Sequence, residues 1–425
     1  MDHSDYPYYS RWYYRLRGLR LDETYLWFVI SFEVQACGCG ADTFVVDYLL
    51  PRGETAAALA FLIIHWLFFT FMVVAYIRTF LKIIVDPGVV PLGQRAIDER
   101  QRRQEQGRHR HQNESDLEGQ PYEYYGPDLS PDSPGLEDFY TKDVFVCESD
   151  GRPRWCSDCL AWKPDRAHHS SEIGRCVRKM DHYCPWVGGI VSETSFKFFI
   201  QFTTYATGYC TICLIAAAYT VHQQIVEGAA LDARKIVLLA LAGFFGLFTC
   251  TMAMTASRFV FLNATNVEIL GFRRKVYQLA IRVPRGTPSS AQYAVVTYPL
   301  PKNESGDSGM PTSQSSQGSR GEHLSARDAL ATRTFAIVKT EPGENPWHIS
   351  LYQNWVSVMG TNFVDWILPI RNSPCVSRES HESFYEMGPL YGLLRERYGL
   401  GEMAQINDGT HEMTTIRGNR NGIAS

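Results

Sequence analysis

Four apolar stretches constrain this chain before anything else does. A helix that crosses the hydrocarbon of a bilayer needs about 20 consecutive, mostly apolar residues, because its backbone polar groups find no water there. Residues 56–77 (AAALAFLIIHWLFFTFMVVAYI), 198–221 (FFIQFTTYATGYCTICLIAAAYTV) and 236–257 (IVLLALAGFFGLFTCTMAMTAS) meet that requirement without one acidic residue. Residues 25–46 form a weaker fourth window. It carries Glu33 and Asp42, and a charge at mid-bilayer costs about 3 kcal/mol on insertion scales. An even count puts both polar ends of the chain on one side, so four spans are expected.

Basic residues set the orientation. Arg11, Arg15, Arg17 and Arg20 precede the first window, Arg78 and Lys82 follow the second, and Arg258, Arg273, Arg274 and Lys275 follow the fourth. The positive-inside rule then places both termini and residues 84–197 in the cytosol, although Arg234 and Lys235 on the opposite side pull mildly the other way. Residues 91–135 mix charge, Gln and Pro, and 302–320 are rich in Ser and Gly. Both read as unstructured linkers. The expected organisation is an all-α integral membrane protein: a cytosolic tail (1–24), transmembrane helices 1 and 2 (25–83), a largely disordered linker (84–150), a small cysteine-rich domain (151–197), helices 3 and 4 (198–262) and a cytosolic C-terminal tail (263–425). A net charge of -4 excludes the basic excess of a dedicated nucleic-acid binder.

Four of the eleven cysteines fall between Cys156 and Cys184. Cys156 and Cys159 make a C-x2-C knuckle, whose turn brings two thiolates to one tetrahedral zinc. His169 and Cys176 complete a set of three cysteines and one histidine, in a loop too polar to close over a core of its own. In such a module metal bonds replace burial as the source of folding energy. One structural zinc is therefore expected.

Asp181-His182-Tyr183-Cys184 follows directly. A free thiol has a pKa near 8.5 and is a poor nucleophile at neutral pH. His182 takes its proton if the backbone lets side chains i and i+2 converge, and Asp181 fixes the imidazole tautomer and stabilises its cation.

Residues 155–199 resemble the cysteine-rich domain of the Asp-His-His-Cys protein S-acyltransferases, in a variant with tyrosine at the second histidine. Asp86-Pro87-Gly88 after the second span, Thr265-Asn266-Val267-Glu268 after the fourth, and Asn345-Pro346-Trp347 with Asn354-Trp355 and Met359-Gly360 resemble further motifs of that family. The resemblance implies that Cys184 is the acyl-accepting nucleophile, His182 its base and Asp181 the orienting acid. It implies palmitoyl-CoA as donor, cysteine thiols of cytosol-facing or membrane-associated proteins as acceptors, and an acyl chain held in the bilayer near Trp186, Phe199, Phe202 and Tyr209. An endomembrane or plasma-membrane location goes with it.

The departures are specific. Family members usually hold a second zinc, whose ligands would fall at Ser170, Ile173, Tyr183 and Ile190, none of them a normal ligand. Loss of the whole set predicts a loop held by packing and a single metal. Gly189 stands where asparagine is usual. Lys163, Arg166, Arg175, Arg178 and Lys179 are candidate partners for coenzyme A phosphates or for anionic lipid. The alternative from another class is a catalytically inactive zinc-bearing membrane scaffold, which has no need of the Asp181, His182, Cys184 trio.

Overall fold

The computed structural model describes residues 44–109, 126, 133–299, 332–376 and 382–401. The N-terminal tail, the weak first window up to residue 43, and the 302–320 run lie outside the described residues. The elements, in chain order, begin with α1 (Thr55–Val85), α2 (Gln94–His109), α3 (Glu137–Tyr140) and β1 (Val144–Val146). Three short hairpins follow: β2 (Arg154–Cys156) with β3 (Ala161–Lys163), β4 (His168–Ser170) with β5 (Arg175–Val177), and β6 (His182–Cys184) with β7 (Gly189–Val191). Then come α4 (Phe196–Val226), α5 (Ala233–Phe261), α6 (Asn266–Ile269), β8 (Gln278–Val283), β9 (Ala294–Pro299), β10 (Thr332–Lys339), α7 (Leu351–Met359), α8 (Phe363–Ile367) and α9 (Leu390–Arg397).

These elements fall into two compact units. One contains the chain up to Pro87, Asp181–Leu262 and Tyr352–Val376; the other contains Gly88–Met180, Asn263–Leu351 and the residues from Ser377 on. The stretch read from sequence as one cysteine-rich domain is thus divided at Met180 and Asp181.

In the first unit α1, α4 and α5 are long and apolar enough to cross a membrane. At 1.5 Å per residue, the 31 residues of α1 and of α4 each span about 46 Å, more than the ~30 Å hydrocarbon layer. Half of the most apolar window of α4 is buried, against 17% for α1 and 6% for α5, so α4 is the central helix. Leu59, Ile63, Phe244 and Leu247 on the flanking helices are exposed, which lipid tolerates and water does not. The α1–α4 seam holds Met72, Phe69, Phe202, Ala206 and Tyr209. Gly208 makes it close: a Cβ there would lie 2.2 Å from the Phe68 ring, the small-residue device of membrane helix packing. Thr207 donates to Thr249 across the α4–α5 seam at 3.1 Å.

The second unit overturns the all-α expectation. Its centre is an antiparallel sheet in the order β1-β8-β10-β9, with Phe145 opposite Ala280, Ala336 opposite Ile281 and Phe335 opposite Val296. Alternate residues serve opposite faces. Val144, Val146, Leu279, Ile281, Ala336 and Val338 pack with Trp347, Tyr391 and Leu394 on one side. On the other, Phe145, Ala280, Phe335 and Ile337 pack with Phe139, Tyr140 and Trp162. The stretch read as a tail therefore supplies three of the four strands. Residues 94–109, read as part of a disordered insert, are helical (α2); Glu, Gln and Arg favour a helix even where apolar content is low.

Phe335 is fully buried and meets Phe145 at 5.3 Å and Tyr298 at 6.3 Å between ring centroids. Phe335→Ala is expected to destabilise this unit by roughly 3–5 kcal/mol. Limited proteolysis of detergent-solubilised protein in a urea series checks this: an unchanged cleavage midpoint at sites between Gln278 and Lys339 would show that the sheet does not depend on this side chain.

Candidate active site and metal centre

Two hairpins of the second unit converge on one point. In the first, Cys156 ends β2 opposite Ala161, and Cys159 sits in the turn between the strands. In the second, His169 and Cys176 are direct cross-strand partners. Each hairpin thereby offers two ligand atoms on one side. The four lie within 4.8 Å of one another, and they are the one such group among the described residues.

The spacing tests the fit to zinc. His169 Nδ1 is 3.4 Å from the Sγ of Cys156, 3.4 Å from that of Cys159 and 3.9 Å from that of Cys176. A tetrahedral zinc with bonds of about 2.3 Å to sulfur and 2.0–2.1 Å to nitrogen has sulfur–nitrogen edges of about 3.5 Å. The donor set fits that ion. Asp158 Oδ2 lies 3.8 Å from His169 Nε2, on the side where zinc-bound histidines usually meet a carboxylate.

A strap that sequence reading assigned to the linker closes this centre. Val90 N–H donates to the Cys176 carbonyl at 2.8 Å and Gly93 N–H donates to the Cys159 carbonyl at 3.1 Å, so residues 90–93 bind both hairpins. A Cβ on Gly93 would meet the Leu160 carbonyl oxygen at 1.6 Å. Gly93→Ala should therefore push the strap off the knuckle and lower zinc content, as measured by elemental analysis of purified protein; full zinc retention would show that the strap is dispensable.

The third hairpin belongs to the first unit and carries Asp181, His182 and Cys184. Pairing of His182 with Val191 and of Cys184 with Gly189 makes β6 extended, which puts side chains 182 and 184 on one face and Tyr183 on the other. That is the convergence the sequence required. His182 Nδ1 and Asp181 Oδ2 are 2.6 Å apart, with the carboxylate 4% exposed. Burial alone would lower the imidazole pKa; the hydrogen bond to Asp181, and next the one to Cys184, outweigh it and raise the value to about 9.

The hairpin is seated against α1. Gly188 takes φ 79°, and a Cβ on it would be 3.2 Å from the Phe80 ring, while a Cβ on Gly189 would be 2.7 Å from Ile83 Cγ2. Position 189 thus has no room for a side chain. Ser192 Oγ donates to the Pro87 carbonyl at 3.0 Å and Thr194 Oγ1 to that of Asp86 at 2.6 Å, which fixes the turn after α1.

The four positions where the resemblance would put a second metal, Ser170, Ile173, Tyr183 and Ile190, offer no thiol or imidazole. Tyr183 and Ile190 are a direct cross-strand pair, with Ile190 1% and Tyr183 40% exposed. Ser170 closes β4, buried, and Ile173 lies in the turn after it. Of the four aromatics proposed for the acyl chain, Phe199 meets the His182 ring at 5.4 Å. Phe202 and Tyr209 line the α1–α4 seam. Trp186 is half exposed, 6.3 Å from Phe248 of α5, and its carbonyl accepts from Tyr76.

The basic candidates divide. Arg166 is not available to a phosphate: it is buried and donates to Glu268 at 2.6 and 2.8 Å and to Asn263 at 2.9 Å. Lys179 donates to the same Asn263 side chain, and Arg175 to the Val90 carbonyl. Lys163 does line a shallow surface depression with Arg154 and Lys275. Burial would raise the Glu268 pKa, but Arg166 outweighs it and holds the carboxyl at about 2. Thr265 and Glu268 close a reciprocal cap on α6, a pattern written in their spacing. That Arg166 is its third member was not legible.

The profile of the DHHC palmitoyltransferase family matches residues 149–271. The chain is 38% identical over 388 residues to palmitoyltransferase pfa5 of Aspergillus fumigatus, with 84% of each chain covered. It is 36% identical over 398 residues to palmitoyltransferase pfa5 of Emericella nidulans, covering 84% of this chain and 81% of that one. To palmitoyltransferase PFA3 of Candida albicans it is 28% identical over 218 residues, 51% of this chain and 47% of the other. A zinc-capable cysteine cluster, a buried Asp-His pair beside a thiol and three apolar helices thus meet in one sequence, and the chain belongs to the DHHC palmitoyltransferase family.

The pH behaviour of the pair follows in sign. Its folded pKa, about 9, lies above the ordinary 6.5, so its stabilisation is complete below pH 6.5 and is lost as pH rises through about 9. Asp181→Asn should return the His182 titration, followed by imidazole NMR, toward 6.5; a midpoint that stays near 9 would sink the assignment of Asp181.

Proposed function

We propose that this protein is a protein-cysteine S-palmitoyltransferase that carries the acyl group on Cys184. The observation that supports this most directly is the Asp181–His182 hydrogen bond on the strand face that also carries Cys184. His182 takes the proton of Cys184, and the resulting thiolate attacks the thioester carbonyl of palmitoyl-CoA. The bond between acyl carbon and coenzyme sulfur breaks, and the leaving thiolate takes the proton back from His182. In the second stage a substrate cysteine gives its proton to His182 and attacks the acyl carbon, and Cys184 leaves as the thiolate that is reprotonated. One thioester replaces another in both stages, so the protein's task is activation and positioning.

Asp181 stabilises the imidazolium that exists midway through each stage. Phe199, Phe202 and Tyr209 on α4 suit the acyl chain, with Trp186 at its mouth. Cys156, Cys159, His169 and Cys176 hold one zinc ion, which when bound supplies folding energy to the module. Basic residues at one end of α1 and α5, Lys82 and Arg258, support a topology in which that end, the catalytic hairpin and both termini are cytosolic, with a fourth span in the 25–46 window. Substrates are then cytosol-facing or membrane-associated proteins with free thiols. Nothing among the described residues favours the inactive scaffold.

Purified protein in detergent, given labelled palmitoyl-CoA, should acquire a label that hydroxylamine removes. Cys184→Ser should abolish it, and His182→Ala should slow loading by roughly 100- to 10,000-fold. Unchanged labelling of Cys184→Ser would refute the assignment of the nucleophile, and absence of label on folded wild type would refute the activity.

A further inference from the structure

The short helix α8 and the turn after it are tied to two spans by their own backbone. Gln201 of α4 donates to the carbonyls of Asp365 and Trp366, each at 3.1 Å. Tyr205 donates to the Ile367 carbonyl, and Arg78 of α1 to that of Ile370 at 2.6 Å. The segment therefore lies beside the first turns of α4, at the end of the spans that carries the catalytic hairpin. Around these anchors Phe363 is 66% and Ile370 65% exposed. Apolar side chains held at that depth face the boundary between headgroups and acyl chains.

Beneath them lies an uncompensated charge. Lys197, in the first turn of α4, is fully buried, and its Nζ has no hydrogen-bond partner among the described residues. The charges that act on it are Asp365, Arg371 and Arg78. Arg78 also leaves a buried Nε without a partner and lays its guanidinium 4.7 Å over the Phe198 ring. Among the described residues Asp365, 3.7 Å from Arg371, is the carboxylate set against these three cations, and Arg371 stands 70% exposed at the rim. A buried ammonium without an acceptor is costly, and the group that would complete this cluster is an anion.

We infer that Arg78, Lys197 and Arg371 bind the phosphate headgroup of an anionic phospholipid in the leaflet on the catalytic side, with Phe363 and Ile370 seated among its acyl chains. The exposed apolar residues beside the cations decide for a lipid over a soluble phosphate, which has no use for them. Attraction of a polybasic site to acidic lipid is substantial for each cation near the surface. This site is separate from the nucleophile, and its occupancy is read without acyl transfer.

The test is native mass spectrometry of the purified full chain, incubated with equimolar phosphatidic acid and phosphatidylcholine. Wild type should retain phosphatidic acid preferentially, and Arg371→Gln and Lys197→Met should each reduce that preference about fivefold. Arg371 is exposed, so its variant tests the site even if Lys197→Met fails to fold. Equal retention of the two lipids by wild type, or an undiminished preference in Arg371→Gln, would overturn the inference. Free coenzyme A and inorganic phosphate are added as competitors. Failure of both to displace the lipid supports it, whereas displacement by either assigns the cations to a soluble phosphate and overturns it.

Discussion

The catalytic hairpin has no core of its own, and everything proposed for the site depends on how it is held. Three-residue strands such as β6 and β7 are not stable in isolation. What holds them is the end of α1: backbone carbonyls of Asp86 and Pro87 accept from Thr194 and Ser192, and the glycines at 188 and 189 let the turn lie against Phe80 and Ile83. The Asp-Pro-Gly motif is thus an acceptor surface. The carbonyls of Asp86 and Pro87 point at the residues that lead from the hairpin into α4, so the central helix and the strand carrying Cys184 share one anchor. A membrane helix is a rigid base for such an anchor, because its own backbone hydrogen bonds are obligatory in lipid.

The second unit solves the same problem with different chemistry. Its hairpins β2–β3 and β4–β5 are as short as β6–β7, and the small apolar cluster around them consists largely of the ligand thiols with Val90 and Ala167. Burial on that scale does not fold a module, whereas four bonds to a zinc ion would supply the missing energy. The strap through Val90 and Gly93 adds backbone hydrogen bonds to both hairpins and so couples their positions. The ion pair of Arg166 and Glu268 then joins the Thr-x-x-Glu segment to the same module, and Arg166 also lies 4.9 Å from the ring centroid of Trp347. Three motifs far apart in sequence meet on one guanidinium. A buried ion pair of this kind is weak evidence for net stability, but breaking it leaves a charge without compensation.

The membrane spans and the site were legible for definite reasons. Hydrocarbon imposes a length and a composition, so α1, α4 and α5 stand out from any window average. Thiol and imidazole ligands impose spacings, so Cys156, Cys159, His169 and Cys176 did too, and the i, i+2 relation of His182 and Cys184 needed only an extended strand. The sheet left no comparable mark. The apolar runs that become β8 and β10 are short, and runs of that length do not distinguish strand from buried helix; they pair across some fifty residues, and no local pattern records the partner. Gly93 and Gly189 were read as a linker residue and an unexplained substitution. Their meaning lies in what approaches them, which only the fold supplies.

Gly189 and the Tyr183–Ile190 pair belong to one arrangement of the hairpin. In register, Cys184 faces Gly189 and Tyr183 faces Ile190, so Cys184 and Tyr183 lie on opposite faces of the hairpin. Ile190 is buried and its partner ring half-covered, and an aromatic–aliphatic cross-strand pair contributes up to about 1 kcal/mol. That is modest, which places most of the burden on the contacts to α1. A side chain at 189 would push the hairpin off Ile83 and displace Cys184 with it. Glycine at 189 is thus what lets so short a hairpin keep its seat on the helix.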